Sequence, residues 1–324
     1  MFTTYLGELR EYIGKGFVLA VWLPVLAFAS ALFVVYHVGR GSLNAAWSSW
    51  LILPLGGQLV QVIEFLAVVT LVAYVVHQLE VPITRFFEGY WQSWPFLSNL
   101  GHWKAERHKR YLAALDKQIE KAGDVPDGQK PSNEQMVKLN LLYDRRAFPF
   151  PPKGDEAHVM PTRLGNIYKV AELYPYHHYG IETVVIWPRL LGVLPGDFVK
   201  RLQDSKMAVD FLLLFGLLSV LFSLVTVPYL LALHADWLIV VLCALGLPLG
   251  IIAYYSALAP AMNYAELIKA AFDLYRRALL EALGLQMPST LTEERQLWKN
   301  LYAFFARGLT PDEDFHFELP KPEA

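Results

Sequence analysis

FVLAVWLPVLAFASALFVVYHV, residues 17–38, is an unbroken run of apolar and aromatic side chains with no formal charge. At a rise of about 1.5 Å per residue, a helix of that length crosses the ~30 Å hydrocarbon core of a bilayer. Three further runs match it: Leu51–Val76, Phe211–Leu233 and Trp237–Pro260. Across all four, the only formal charge is Glu64. The runs predict four membrane-spanning helices, and a hydrophobic content of 55% with a mean hydropathy of +0.31 agrees with that class. Ala27-Phe28-Ala29 has the form of a leader cleavage site, but apolar sequence continues through Val38, so the first run reads as an uncleaved span.

Charge placement orients the spans. Of 28 Lys and Arg, 2 precede the first run, 18 lie between the second and third, and 7 follow the fourth. The connection around His234-Ala235-Asp236 has none, and Arg40 is alone between the first two runs. Positive charge stays on the cytoplasmic side, so the rule predicts both terminal segments and the central block in the cytoplasm. The net charge of −2 offers no basic excess for nucleic acid. The only cysteine, Cys243, lies inside the fourth run, which leaves no intramolecular disulfide.

Hydrophobic periodicity and turn residues divide the rest. Residues 1–16 read as an interfacial amphipathic helix, with Phe2, Tyr5, Leu6, Leu9 and Ile13 on one face. Residues 17–79 form the first transmembrane hairpin and 208–260 the second. The block 80–207 is helical, with helices at about 100–121, at Asn133–Arg145 behind a Ser132/Gln135 capping box, and from a Thr162 cap to about Leu173. The segment 148–161 holds four prolines and reads as extended or irregular. The β-branched stretch Ile181–Trp187 fits a short strand or a helix. Residues 261–309 are C-terminal helices: an amphipathic one at Asn263–Leu283 stopped by Gly284, then one opened by a Thr290/Glu293 capping box. Residues 310–324 are an acidic, proline-containing tail predicted to be disordered.

Few residues offer chemistry. Gln58, Gln61 and Glu64 recur every three positions on the second run, making a polar stripe on about a third of the helix circumference. An ionisable group in a span costs about 2.5–3.5 kcal/mol on insertion scales, so it lines a wet path or is buried against partners. Both readings stand: a pore or ion-site face, or interhelical hydrogen bonding with Glu64 neutral. Gly246, Pro248 and Gly250 in the fourth run point to a close helix crossing or a kinked gate. In the central block, Arg163, Asn166, His177 and His178 are the candidates for a cytoplasmic ligand or protein partner. Neighbouring histidines diverge in regular structure, so His177 and His178 make no chelating pair. No HExxH, CxxC, GxSxG, Walker or GxGxxG motif is present, so the expectation is no metal, no cofactor and no enzyme activity. Asp144-Arg145-Arg146, and Asp273 with Arg276 and Arg277, read as helix-surface charge pairs.

Three motifs carry a resemblance. Arg85-Phe86-Phe87-Glu88-Gly89-Tyr90-Trp91, Pro161-Thr162-Arg163-Leu164-Gly165-Asn166 and Ala271-Phe272-Asp273-Leu274-Tyr275-Arg276 resemble motifs of bacterial multi-pass membrane proteins with no established function. That resemblance implies a bacterial inner membrane and no particular activity. The layout is separately similar to that of bestrophin-type anion channels, with two transmembrane hairpins, a cytoplasmic helical block and helical C-terminal segment. Where those channels carry an aromatic neck, this sequence has Gln58, Gln61 and Glu64.

The expectation is therefore an all-α integral membrane protein, with four transmembrane helices in two hairpins and a cytoplasmic helical domain. Four helices leave little room for an internal path, so a conduction route belongs on a symmetry axis between copies. The first functional reading is a homo-oligomeric channel lined by run two. The second is a membrane-anchored scaffold or signalling module that binds a protein or lipid partner.

Overall fold

The computed structural model describes residues 16–92, 94–124, 132–147 and 150–308. Residues 1–15 of the helix predicted over 1–16, residues 125–131, and residues 309–324 with the predicted tail 310–324 lie outside them. The described residues are helical without a β-strand: α1 (Leu23–Gly39), α2 (Leu43–Ile52), α3 (Leu55–Gln78), α4 (Glu80–Glu88), α5 (Pro95–Gly123), α6 (Asn133–Ala147), α7 (Arg163–Tyr179), α8 (Thr183–Leu191), α9 (Gly196–Ala232), α10 (Trp237–Ala244), α11 (Gly246–Ala282) and α12 (Leu291–Arg307). Four helical stretches are long and apolar enough to cross a membrane: Val18–Gly39, Leu55–Gln78, Gly196–Ala232 and Trp237–Ala282.

The chain forms two compact units, Met1–Arg85 with Lys206–Pro260, and Phe86–Ser205 with Ala261–Ala324. In the first, Ala20, Val21 and Val25 pack on Val69 and Ala73 of α3 and Leu214 of α9. Proline shapes three of its helices. Pro24 has no N–H for the preceding turn, and Val18–Trp22 ahead of it widens into a π turn, Leu23 N–H reaching back to the Val18 carbonyl. Pro54 forces Leu53 into extended backbone, so the second apolar run is cut. Leu51 and Ile52 belong to α2, and the span itself starts at Leu55 rather than Leu51. Pro248 leaves the Ala244 carbonyl without its helical donor, and α10 ends there. Beside that break, Ser223 Oγ donates to the Cys243 carbonyl at 2.6 Å.

Gly246 and Gly250 lie where α11 crosses α9. A Cβ on Gly246 would overlap the Ser219 carbonyl, and one on Gly250 would overlap the Val220 side chain. The glycines allow backbone-to-backbone approach of the two spans.

The second unit is built around Phe272, Trp298, Leu280, Leu190, Ile186 and Ile181, all buried. The stretch Ile181–Trp187, open between strand and helix in the sequence, enters helix α8 at Thr183. Ile186 and Leu190, four apart, bury one helical face in this core, so tertiary packing overrides the β-branched composition. Helix α7 runs past Leu173 to Tyr179, taking Pro175 inside it. It stops at Gly180, whose φ of 73° lets its N–H reach the Tyr176 carbonyl at 2.8 Å while Ile181 N reaches Pro175 O at 3.2 Å. From Gly246 on, the fourth apolar run and the helix expected at Asn263–Leu283 are one continuous helix, α11, carried through Pro260. Both capping boxes form: Ser132 with Gln135, and Thr290 with Glu293.

Candidate functional site

The polar stripe on α3 separates into two parts. Gln58 turns back on its own chain, donating from Nε2 to the Trp50 and Leu53 carbonyls at 3.2 and 3.3 Å. These acceptors sit at the α2 end, where helical carbonyls lack helical donors. Gln61 and Glu64 are exposed, and among the described residues neither has a hydrogen-bond or ion-pair partner. The span carrying them is the barest of the four. Only 11% of its apolar window is buried, against 33% for the Gly196–Ala232 helix. Glu64 is the tenth residue of α3, about 13.5 Å along a 24-residue helix and thus near its middle.

The cavity within this unit lies elsewhere. Val21, Val76, Ile83 and Leu213 enclose about 10 Å³ beside Glu80, Thr84 and Asp210, at the lower limit for one water. Lys206 closes it electrostatically, its Nζ 2.6 Å from Asp210, while His77 holds Glu80 at 2.8 Å.

In the second unit the quoted motifs pack as struts. Thr162 Oγ1 donates to the Glu88 carbonyl at 2.7 Å and accepts from Gly165 N, capping α7. Gly89, at φ 94°, lies against the Pro161 ring. Asn166 has no exposure. Its Nδ2 donates to the Met160 and Thr162 carbonyls at 2.9 and 2.8 Å, and its Oδ1 accepts from Met160 N at 2.8 Å. With every polar atom committed to this loop, Asn166 is not available to a ligand. Arg163 opens α7 at the surface, fourteen residues and about 21 Å of helix from His177, so the four expected ligand residues do not form one site.

His177 and His178 instead border a cleft of about 1050 Å³ shared by α5, α6, α7 and the segment 150–155. His177 Nε2 lies against Asp155 Oδ2, and His178 stacks on Tyr174 at 4.0 Å. Their backbone carbonyls accept from Arg295 Nη2 at 3.1 and 3.2 Å. The sequence reading missed the cleft's main cation. Arg146 is not a surface partner of Asp144: it is 6% exposed, with Nε 2.8 Å from Asp116 and Nη1 2.8 Å from the Pro151 carbonyl. Its Nη2 is buried without a hydrogen bond, since the Glu156 carboxylate at 3.6 Å is too far. Two arginines in a row at the end of a helix gave no signal for which one turns inward.

Asp273 and Arg276 are likewise half-buried and turn to other partners rather than forming a surface pair. Asp273 accepts from Tyr174 at 3.1 Å and Tyr179 at 2.8 Å, and Arg276 Nε donates to the buried Glu294 at 2.7 Å. Burial, then the hydrogen bond to Asp273, pushes the Tyr179 phenol up to about 12. An unfolded tyrosine ionises near 10, so this contribution to stability is full below about pH 10 and lost as pH rises toward about 12. A difference titration at 295 nm should show one phenolate appearing near pH 12 that is missing in Tyr179→Phe. A phenolate appearing at the ordinary value would contradict the buried pairing. His108 moves oppositely: burial lowers its pKa, while its ring meets the Met160 carbonyl at 3.0 Å.

Among the described residues no group of three His, Cys, Asp or Glu is placed to hold a metal ion. Comparison with protein-family models, curated proteins and solved structures finds no match, so the functional reading rests on the geometry alone.

Proposed function

We propose that this chain is a homo-oligomeric channel of a bacterial inner membrane, with α3 lining an axial path. The supporting observation is Glu64: a mid-span carboxylate, exposed and without a partner, on the least buried span. Facing lipid, it would bear the intramembrane charge penalty of about 2.5–3.5 kcal/mol. A second copy related by closed symmetry removes that exposure and turns Gln61 and Glu64 toward water on the axis. In this reading the four spans form two hairpins. Both termini and the second unit lie in the cytoplasm, as the Lys and Arg distribution favours.

Purified protein in liposomes should carry an ion flux, and Glu64→Gln should alter its conductance or selectivity by about tenfold or more while the protein still assembles. That size corresponds to about 1.4 kcal/mol, less than the penalty attached to the charge. A monomer that passes no ion would overturn the proposal.

A second reading, a membrane-anchored module that binds a cytoplasmic partner, draws on the cleft. The Nη2 of Arg146, which makes no hydrogen bond, suits an acceptor oxygen of an entering side chain or ligand. Under that reading Arg146→Lys abolishes partner binding and Glu64→Gln has no effect on it.

A further inference from the structure

We infer that the N-terminal half of α5 is a lipid-binding element, lying in the headgroup interface of an anionic leaflet. Phe96, Leu100 and Trp103 fall within about 60° of one another on a 3.6-residue helix and are 95%, 40% and 58% exposed. The opposite side of α5 is the packed one. Gly101, Leu112 and Leu115 are buried there, and His108 reaches the Met160 carbonyl. An aromatic stripe this exposed, on a helix otherwise seated in its unit, is covered by nothing among the described residues.

Charge identifies what covers it. Arg107 and Arg110 continue the stripe, and Lys104 flanks it. Arg107 lies 5.8 Å from the Trp103 ring centroid and Lys104 5.3 Å from that of Trp91. The carboxylate in these turns, Glu106, is held by Lys109 at 2.8 Å, leaving the flank basic. Aromatic rings beside guanidinium groups suit the boundary between acyl chains and anionic headgroups, where the ring buries and the cation stays wet. A second copy docked symmetrically would instead set like charges together. Sixteen residues separate Gln78, where α3 ends, from Pro95, so this stripe follows closely in sequence on a span.

The test places a spin label at Asn99→Cys, which leaves every stripe residue intact, in full-length Cys243→Ala protein in nanodiscs. Oxygen and a nickel chelate serve as collision partners. In nanodiscs with phosphatidylglycerol the label should sit about 5–10 Å below the headgroup level. It should move into water in the Lys104→Gln, Arg107→Gln, Arg110→Gln triple variant and in purely zwitterionic nanodiscs. A label that stays water-exposed in anionic nanodiscs would overturn the inference. So would one shielded from both collision partners, because that marks protein covering the stripe.

Discussion

Glu294→Ala should lower the thermal midpoint of the detergent-purified protein, followed by tryptophan emission, by about 6–20 °C. Glu294 is 4% exposed, and its Oε1 accepts from both Arg276 Nε at 2.7 Å and Trp298 Nε1 at 3.2 Å. Truncation leaves a guanidinium in the core of the second unit with no carboxylate, and an indole N–H with no acceptor. Removing one partner of a buried ion pair costs about 3–5 kcal/mol, and a domain of this size loses roughly 2–4 °C per kcal/mol. Arg276 keeps its bond to the Asp273 carbonyl and its place 4.0 Å from the Tyr179 ring, which sets the upper bound. Glu294→Gln retains an acceptor and should fall between. The double variant with Arg276→Met should recover part of the loss, because the stranded charge is gone. A shift below 2 °C for Glu294→Ala would mean that water reaches the pair.

Gly165→Ala should destabilise the same unit by about 3 kcal/mol, although alanine is the better helix former by up to ~1 kcal/mol. A Cβ at 165 would overlap the Glu88 carbonyl oxygen and stand 2.9 Å from Met160 Cβ. Neither neighbour is free to yield. The Glu88 carbonyl accepts from the Thr162 cap, and Met160 is held on both sides by Asn166. Overpacking against fixed atoms costs about 1–3 kcal/mol, and losing the cap adds about 1 kcal/mol. Hydrogen exchange should quicken at residues 86–92 and 160–166 together, since the Thr162–Glu88 hydrogen bond and the Gly89–Pro161 contact join them. A stabilised Gly165→Ala would show that helix propensity outweighs the packing.

These two predictions turn on Arg276 and Gly165, residues of the quoted motifs whose contacts the sequence hid. The spans are legible because a membrane enforces one long apolar helix per crossing, and composition alone meets that condition. The Thr162 and Thr290 caps are legible because capping is local in sequence. Glu88 and Gly165 lie 77 positions apart, and nothing in either neighbourhood announces that they touch. Arg146 and Arg145 are alike in composition, and only the fold of α6 onto α5 decides that Arg146 meets Asp116. On α3, helical periodicity put Gln58, Gln61 and Glu64 on one face. The break at Pro54, which redirects Gln58 to the α2 carbonyls, lies outside what periodicity encodes. Exposure of Glu64 belongs to the monomer fold, and it is the observation on which the channel reading turns.

The most direct measurement is disulfide cross-linking of Gln61→Cys, in a Cys243→Ala background, oxidised in native membranes. If α3 faces its copies across a symmetry axis, position 61 should link to itself rapidly, while Ile251→Cys, exposed on α11, should not. Gln61→Cys that stays monomeric under conditions that cross-link Ile251→Cys would contradict the account.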